Sequence, residues 1–219
     1  MIIAIEGIDG AGKNTVANQL KAVLIERGLS ADVIEFPQVE NTYGGRALGD
    51  FLAGRHRTPD DVKVIAALYA IDRLEYLDII RSRANEHDVL IFDRYIASNL
   101  AFQAAKTVES QRYSLMNWIV DLETKTFGMP APNLNVLLRT HIDQAKQNVS
   151  EKALRNYTKE SFDIHEQDKT LQSRAQYMYN VIVDKDILGP WLIIDTTSDA
   201  GGRKSPQQMA RQIADHVKL

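Results

Sequence analysis

The stretch that decides the fold is Gly7-Ile8-Asp9-Gly10-Ala11-Gly12-Lys13-Asn14-Thr15. It follows a short apolar run, Ile2-Ile3-Ala4-Ile5, and precedes a helical pattern from Val16 to Arg27. Strand, glycine loop and helix in that order form the context a phosphate-binding loop needs. The glycines let backbone N–H groups converge on an anion, the helix N-terminus adds partial positive charge, and Lys13 adds a full one. The usual hydroxyl residue directly after the lysine is replaced by Asn14, with Thr15 one residue later. Thr15 or a water is therefore expected to face a metal ion. Asp9 within the loop would repel phosphate unless a cation or a hydroxyl donor intervenes, so Mg²⁺ and a sugar hydroxyl are its candidate partners.

Working outward, further apolar runs at Ala31–Phe36, Val89–Phe92, Leu134–Leu138 and Trp191–Ile194 read as strands separated by longer helical patterns. Most are short and apolar throughout, as strands covered on both faces are. Alternation of this kind predicts a parallel sheet in a doubly wound α/β domain, with ligands at the strand C-termini. Gly28 is placed to stop the first helix. Thr58-Pro59-Asp60-Asp61 reads as the start of a long helix to about Arg83, and Ser205-Pro206 as the start of the last one. No linker or repeat divides the chain.

Composition narrows the function class. The 219 residues carry a net charge of −3 and 44% hydrophobic residues, with no cysteine. That excludes disulfides and thiolate metal sites and makes a cytoplasmic protein the expectation. No leader and no transmembrane run is visible. The slightly acidic balance argues against a general nucleic-acid binder and for small phosphorylated ligands.

A second signal is Val89-Leu90-Ile91-Phe92-Asp93-Arg94-Tyr95, an apolar strand ending in a carboxylate and a guanidinium. Asp93 at that place can hold Mg²⁺, usually through water, and Arg94 offers a fork for a second phosphate. The plainer reading is a structural surface pair. In the helix that follows, Tyr95, Ser98, Asn99 and Phe102 share one face, and Ile96, Leu100 and Ala104 another that docks on the core. The first face suits a planar base, or else serves capping and packing. Tyr69, Asp72, Arg73 and Tyr76 likewise share a face, with Val64, Ile65, Leu68, Leu77 and Ile80 read as core. Asp72 and Arg73, adjacent in sequence, do not face each other as a helical ion pair would. Phe36-Pro37 ends the second strand at the same sheet edge, where Phe36 could wall a pocket. Thr140 to Lys159 is polar and basic, either a solvated surface helix or a lid that brings a cation over the phosphates.

These pieces together resemble the thymidylate kinase family of P-loop nucleoside monophosphate kinases across nearly the whole chain. The residues that carry the resemblance are Ile5 to Lys13, Phe36-Pro37, Tyr69 to Arg73, Asp93 to Asn99 and Glu160-Ser161-Phe162-Asp163. The opening and the Asp-Arg-Tyr segment look most like actinobacterial members. The resemblance implies the three-layer α/β/α fold of P-loop NTPases: a five-stranded parallel sheet flanked by helices, in one domain over 1–219 with a lid at about 141–160. It implies ATP-dependent phosphorylation of dTMP to dTDP with Mg²⁺, in a homodimer. ATP phosphates would lie on Gly7 and on Gly10, Ala11, Gly12, Lys13, Asn14 and Thr15. The dTMP phosphate would meet Arg94, with Asp9 near the sugar 3′-hydroxyl or Mg²⁺. Thymine would be held by Arg73, Ser98 and Asn99 and walled by Phe36, Pro37 and Tyr69. Asp163 and Glu166 would be lid-side acids, with Glu166 joining Asp9, Thr15 and Asp93 around the metal. Phe102 stands where some relatives have a Tyr near the sugar, His165 where an aromatic is expected beside the base, and Val39 where some have a Tyr. Arg155, the only Arg between Arg139 and Arg174, takes the lid-cation role, with Lys152 as its alternative.

Phosphoryl transfer to a phosphate oxygen needs no strong general base, which agrees with the lack of an obvious catalytic His or Glu. Two alternatives remain: a kinase for dUMP, UMP or another nucleotide, and a regulatory P-loop ATPase. The second lacks support, since neither an Asn-Lys-x-Asp motif nor an early second loop lysine is present.

Overall fold

A computed structural model of the chain describes residues 1–55, 61–155, 169–198 and 202–217, the side chains of 150–155 and 169 excepted. Five strands form one sheet: β1 (Ile2–Glu6), β2 (Ala31–Glu35), β3 (Val89–Asp93), β4 (Leu134–Arg139) and β5 (Trp191–Asp195). Their order is β2-β3-β1-β4-β5 and every pairing is parallel. The first strand is the Ile2–Glu6 expected from the sequence, and the other four differ from expectation by one residue at the C-terminal end.

Both faces of the sheet are covered. On one face Ile3, Ile5, Ile91 and Val136 meet Val16, Leu20 and Leu24 of α1 (Lys13–Glu26) and Met209 and Ile213 of the C-terminal helix Pro206–Ala214. On the other, Ile2, Ala4, Leu90 and Phe92 meet Leu77, Ile80 and Ile96. Alternate residues of β1 thus enter different cores, which is why the strand is apolar at every position before Glu6. A third cluster joins α5 (Ile96–Lys106) to the helix Lys169–Asp184 through Leu100, Ala101, Ala175, Met178 and Ile182.

The remaining helices in chain order are α2 (Tyr43–Leu52), α3 (Val62–Glu75), α4 (Leu77–Glu86), α6 (Glu109–Val120) and α7 (Ile142–Arg155). Lys169–Asp184 is then α8 and Pro206–Ala214 α9. The single long helix expected up to about Arg83 is in fact two. Tyr76, at φ −98° and ψ 2°, separates α3 from α4, and its ring meets Phe36 edge-on at 6.0 Å. No Pro or Gly marks the break, so the apolar periodicity runs through it unaltered. Asp61 caps α3 by accepting from Lys63 and Val64 N–H; Thr58, Pro59 and Asp60 lie outside the described residues. Gly28 takes φ 85° just past α1, and Ser205 with Gln208 forms the capping box that starts α9. Between α6 and β4 the chain makes a π-helical turn, Asp121–Thr126, that carries Glu123 into the interior.

Every strand ends on one edge of the sheet, and β1 lies where the chain changes direction across it, which is where open α/β sheets bind ligands. The polar 140s segment is helix α7, laid against the glycine loop. Asn148 Nδ2 donates to Gly10 O at 2.7 Å, and a Cβ on Gly10 would come within 2.1 Å of Ala145 O. Gly10 also has φ 81°, whereas Gly28 shares the positive φ but faces open space. Both Ala substitutions carry the left-handed backbone cost of about 1–2 kcal/mol, and only Gly10→Ala adds a backbone clash. Thermal melts are expected to rank Gly10→Ala clearly below Gly28→Ala in Tm; equal melting temperatures would mean that α7 does not press on the loop.

Candidate active site

The loop between β1 and α1 turns on three glycines with positive φ: Gly7 at 143°, Gly10 at 81° and Gly12 at 92°. Gly12 is the N-cap of α1, and no side chain caps this helix. Its first-turn N–H groups are therefore presented with the helix dipole behind them, the arrangement that receives an anion. Lys13 is buried and folds back over the loop, donating from Nζ to Ile8 O at 2.9 Å. Asn14 and Thr15 are exposed, and Asn14 Nδ2 donates to Glu35 Oε2 at 3.0 Å.

The Lys13 ammonium is pushed down to about 8 by burial, with Arg94 adding to the effect and Asp9, Asp93 and Glu6 opposing it. Asp93 is buried at the end of β3, level with Ile5 of β1. Among the described residues no three of His, Cys, Asp and Glu come together as a cation site of their own.

Next to the loop, Asp9 forms an ion pair with Arg94. Gln172 of α8 holds Asp9 twice: it accepts from Asp9 N–H at 3.1 Å and donates to Asp9 Oδ2 at 2.6 Å. Arg94 has φ 67°, unusual for a residue with a side chain, and its N–H donates to Ile5 O at 3.0 Å. Its guanidinium lies 5.4 Å from the Phe102 ring centre and 3.4 Å from Ser98 Oγ. Burial would lower its pKa, but Asp9 and, with it, Tyr179, Asp93 and Glu6 more than reverse that, so the pKa is raised.

Glu6 lies beneath this pair, fully buried at the end of β1. It accepts from Tyr95 N–H at 2.9 Å, Ser98 Oγ at 2.6 Å and Tyr179 Oη at 3.0 Å. Burial raises its pKa despite those donors, and burial also raises that of Tyr179.

A cleft of about 420 Å³ opens beside Arg94, lined by Asp9, Pro37, Leu52, Tyr69, Arg94, Ser98, Asn99 and Phe102. Seven of these eight are residues singled out from the sequence; Leu52 is the addition. Other expected members are elsewhere. Tyr95 is in the core, stacked 4.3 Å from Phe92, because the extended backbone at the N-cap of α5 turns it away from the face of Ser98. Phe36 is buried too, within 6.3 Å of the Phe92, Tyr95 and Tyr76 rings, and only Pro37 of the pair lines the cleft. Val64, read as core, is exposed on α3. Ser98 lines the cleft, with its hydroxyl donated to Glu6. Arg73 makes a bidentate pair with Glu123, both contacts 2.6 Å. Asp72 turns the other way, bonding Thr42 Oγ1 and Gln38 N–H, so the two neighbours indeed do not pair. Asp163, His165 and Glu166 lie outside the described residues, as do the side chains of Arg155 and Lys152.

Sequence reasoning gave no role to Glu6, Gln172, Tyr179 or Glu123. Gln172, Gln176 and Tyr179 stand at i, i+4 and i+7, a polar stripe that was there to be read; all three hold sheet-edge segments, Gln176 through Thr140 O at 2.9 Å. Nothing local marks Glu123, which reaches the interior through a π-helical turn.

The model of the family described as thymidylate kinase matches residues 5–199. The chain belongs to the thymidylate kinase family. It is 31% identical over 202 residues to a thymidylate kinase of Mycobacterium tuberculosis, covering 92% of this chain and 94% of that one. Identity is 27% over 218 residues to a probable thymidylate kinase of Methanocaldococcus jannaschii, covering 100% and 96%. The solved structure of thymidylate kinase from Candida albicans superposes with a TM-score of 0.72 at 22% identity, covering 98% of this chain and 89% of that one, a likeness of fold. No described helix is long and apolar enough to cross a membrane.

In the thymidylate kinase frame, the depressed Lys13 titration is the most direct electrostatic signature of the loop. The unfolded chain keeps this proton to about 10.5, while the folded chain releases it near 8. Lys13 therefore opposes folding below pH 8, and the penalty fades between 8 and 10.5. Nitrogen NMR of Lys13 Nζ in the ligand-free protein is expected to give a midpoint near 8. Asp9→Asn, which removes an opposing anion, should lower it further; a midpoint at the ordinary lysine value would refute the geometry.

Proposed function

We propose that this chain phosphorylates dTMP to dTDP with ATP, the glycine loop holding the donor phosphates and the cleft beside Arg94 holding the acceptor. The observation that carries this reading is the position of Arg94, a cation shared between the loop, through Asp9, and the cleft, through Ser98 and Phe102. Membership of the thymidylate kinase family supports it and does not favour the alternatives.

The acceptor's phosphate oxygen attacks the γ-phosphorus of ATP, and the bond from that phosphorus to the β-bridging oxygen breaks, releasing ADP. The nucleophile is already anionic, so the protein's task is alignment and charge neutralisation. Backbone N–H groups from Gly10 to Thr15, with Gly7 shaping the turn, receive the β- and γ-oxygens, and Lys13 leaves Ile8 O to join them. The acceptor phosphate takes Arg94 from Asp9, and Gln172 retains Asp9 for the sugar 3′-hydroxyl. Thymine lies against Pro37, Tyr69 and Phe102, with Arg73, Ser98 and Asn99 at its polar edge and Phe36 supporting Pro37 from the core. Asp9 and Asp93 are carboxylates at the loop's edge, a donor set suited to Mg²⁺ that is otherwise ligated by phosphates and water. Mg²⁺, when bound, offsets phosphate charge. Thr15, and Glu166 outside the described residues, would complete the set that holds it. Arg155, or Lys152, would supply the lid cation, and Asp163 and His165, which lie outside the described residues, would contact the nucleotide as the family resemblance implies.

The chain is one domain from 1 to 219 with its lid at about 141–160, acts in the cytoplasm, as its lack of cysteine suggests, and works as a homodimer. Val64, Ile71 and Leu74, exposed along one face of α3, support an apolar partner surface there.

The test is ADP release from Mg·ATP with dTMP, dUMP, UMP, CMP, GMP or AMP as acceptor. Turnover is expected with dTMP and much more weakly with dUMP; equal rates with several acceptors would overturn the base pocket, and no acceptor-dependent rate the kinase. Lys13→Ala and Arg94→Ala are each expected to lower kcat/KM for dTMP by at least about 10²-fold, as loss of one charge-stabilising group does; near-wild-type kcat/KM in either would remove that residue from the mechanism.

A further inference from the structure

The turn Ile8-Asp9-Gly10-Ala11 opens the phosphate loop, and two amide side chains hold it from neighbouring helices. Gln172 of α8 takes Asp9. Asn148 of α7 takes the next residue, donating from Nδ2 to Gly10 O at 2.7 Å. Gly10, at φ 81°, has no side chain of its own to keep its peptide unit in one orientation. α7 supplies that constraint at two places three residues apart on one helix face. At Ala145 its backbone lies against Gly10 and leaves no room for a Cβ, and at Asn148 its side chain reaches the carbonyl. In a planar trans peptide the C=O of Gly10 and the N–H of Ala11 point opposite ways. A donor on Gly10 O therefore turns Ala11 N–H back into the turn, where it meets Ile8 O at 3.3 Å. The same Ile8 carbonyl is where Lys13 Nζ rests, at 2.9 Å. The other end of the Asn148 amide is engaged too. Its Oδ1 accepts from Gln144 Nε2 at 3.1 Å and from Arg203 Nη1 at 2.8 Å. Arg203 stands between β5 and α9 and forms an antiparallel bridge with Thr197. One amide thus joins three segments of the sheet edge: the phosphate loop, α7 and the stretch after β5.

We infer that Asn148 is a positioning residue for the donor phosphates: by holding Gly10 O it fixes the turn that presents the loop N–H groups and the resting place of Lys13, and Arg203 acts through it. This rests on the kinase reading above, in which that loop receives ATP. Asn148 meets the carbonyl side of the loop, and neither it nor Arg203 lines the acceptor cleft. Its loss therefore falls on the donor nucleotide and spares the acceptor.

Calorimetric titration of the full chain with Mg·ATP alone, and separately with dTMP alone, tests this. Asn148→Ala is expected to weaken Mg·ATP at least about tenfold and dTMP by less than about twofold, as loss of one well-placed hydrogen bond at the donor loop does. Arg203→Ala is expected to weaken Mg·ATP about threefold in the wild type and to add nothing in the Asn148→Ala background. Equal weakening of both ligands, or a lowered Tm with Mg·ATP binding intact, would mean a merely structural role and would overturn the inference. Additive losses would show that Arg203 acts on its own and would break the relay. Wild-type protein that bound neither nucleotide would overturn the functional reading instead. Should Asn148→Ala lose its cooperative melt, carbon NMR of the Gly10 carbonyl in Arg203→Ala decides. That resonance is expected to move as Mg·ATP affinity falls, and an unmoved resonance would refute the inference.

Discussion

The structure at the sheet edge depends on one buried carboxylate. Glu6 ends the central strand without solvent contact and accepts from the backbone of Tyr95, the hydroxyl of Ser98 and the phenol of Tyr179. An unpaired carboxylate there would be too costly to bury, so these donors must all be present for β1 to end as it does. They come from the start of α5 and the middle of α8, elements far apart in sequence. The same contacts bring Arg94 and Phe102 to the rim of the cleft and lay the Gln172 end of α8 along Asp9. Asp9 and Arg94 are therefore held from below by Glu6 and its donors and from the side by Gln172.

Charge around the phosphate loop is balanced before any ligand arrives. Lys13 rests on a carbonyl, Arg94 on Asp9, and Arg73 on Glu123. Each pairing differs in how readily it yields. Lys13 makes a single neutral contact, Arg94 a partly exposed ion pair, and Arg73 a bidentate pair with both side chains 2% exposed or less. On the proposed function phosphate oxygens would displace the first two, whereas the buried bidentate pair is a fixed part of the frame.

The sheet and its edge were legible because strands covered on both faces leave continuous apolar runs, and because glycines and a lysine at fixed spacing have few other uses. Ser98, Asn99 and Phe102 were legible as a helical face, and Pro37, Tyr69 and Arg94 through their place at strand ends and in α3. Tyr95 and Phe36 were misplaced because an aromatic next to a site and one beneath it look alike in sequence; the N-cap backbone of α5 decides. The break at Tyr76 carries no Pro or Gly. Glu6 and Glu123 were silent because their partners are 24 to 173 residues away, and long-range hydrogen bonds leave no periodic trace.

Arg94 joins this electrostatic role to a backbone that an arginine does not favour. At φ 67° it carries the conformational strain that only glycine escapes, of order 1 kcal/mol or more. A glycine there would relax the turn after β3 and remove the guanidinium in one step. Folding stability and charge at this position therefore pull on the codon in opposite directions, and a search for thermostable variants of this chain would drift toward loss of the guanidinium at residue 94 unless the function proposed for it were selected alongside.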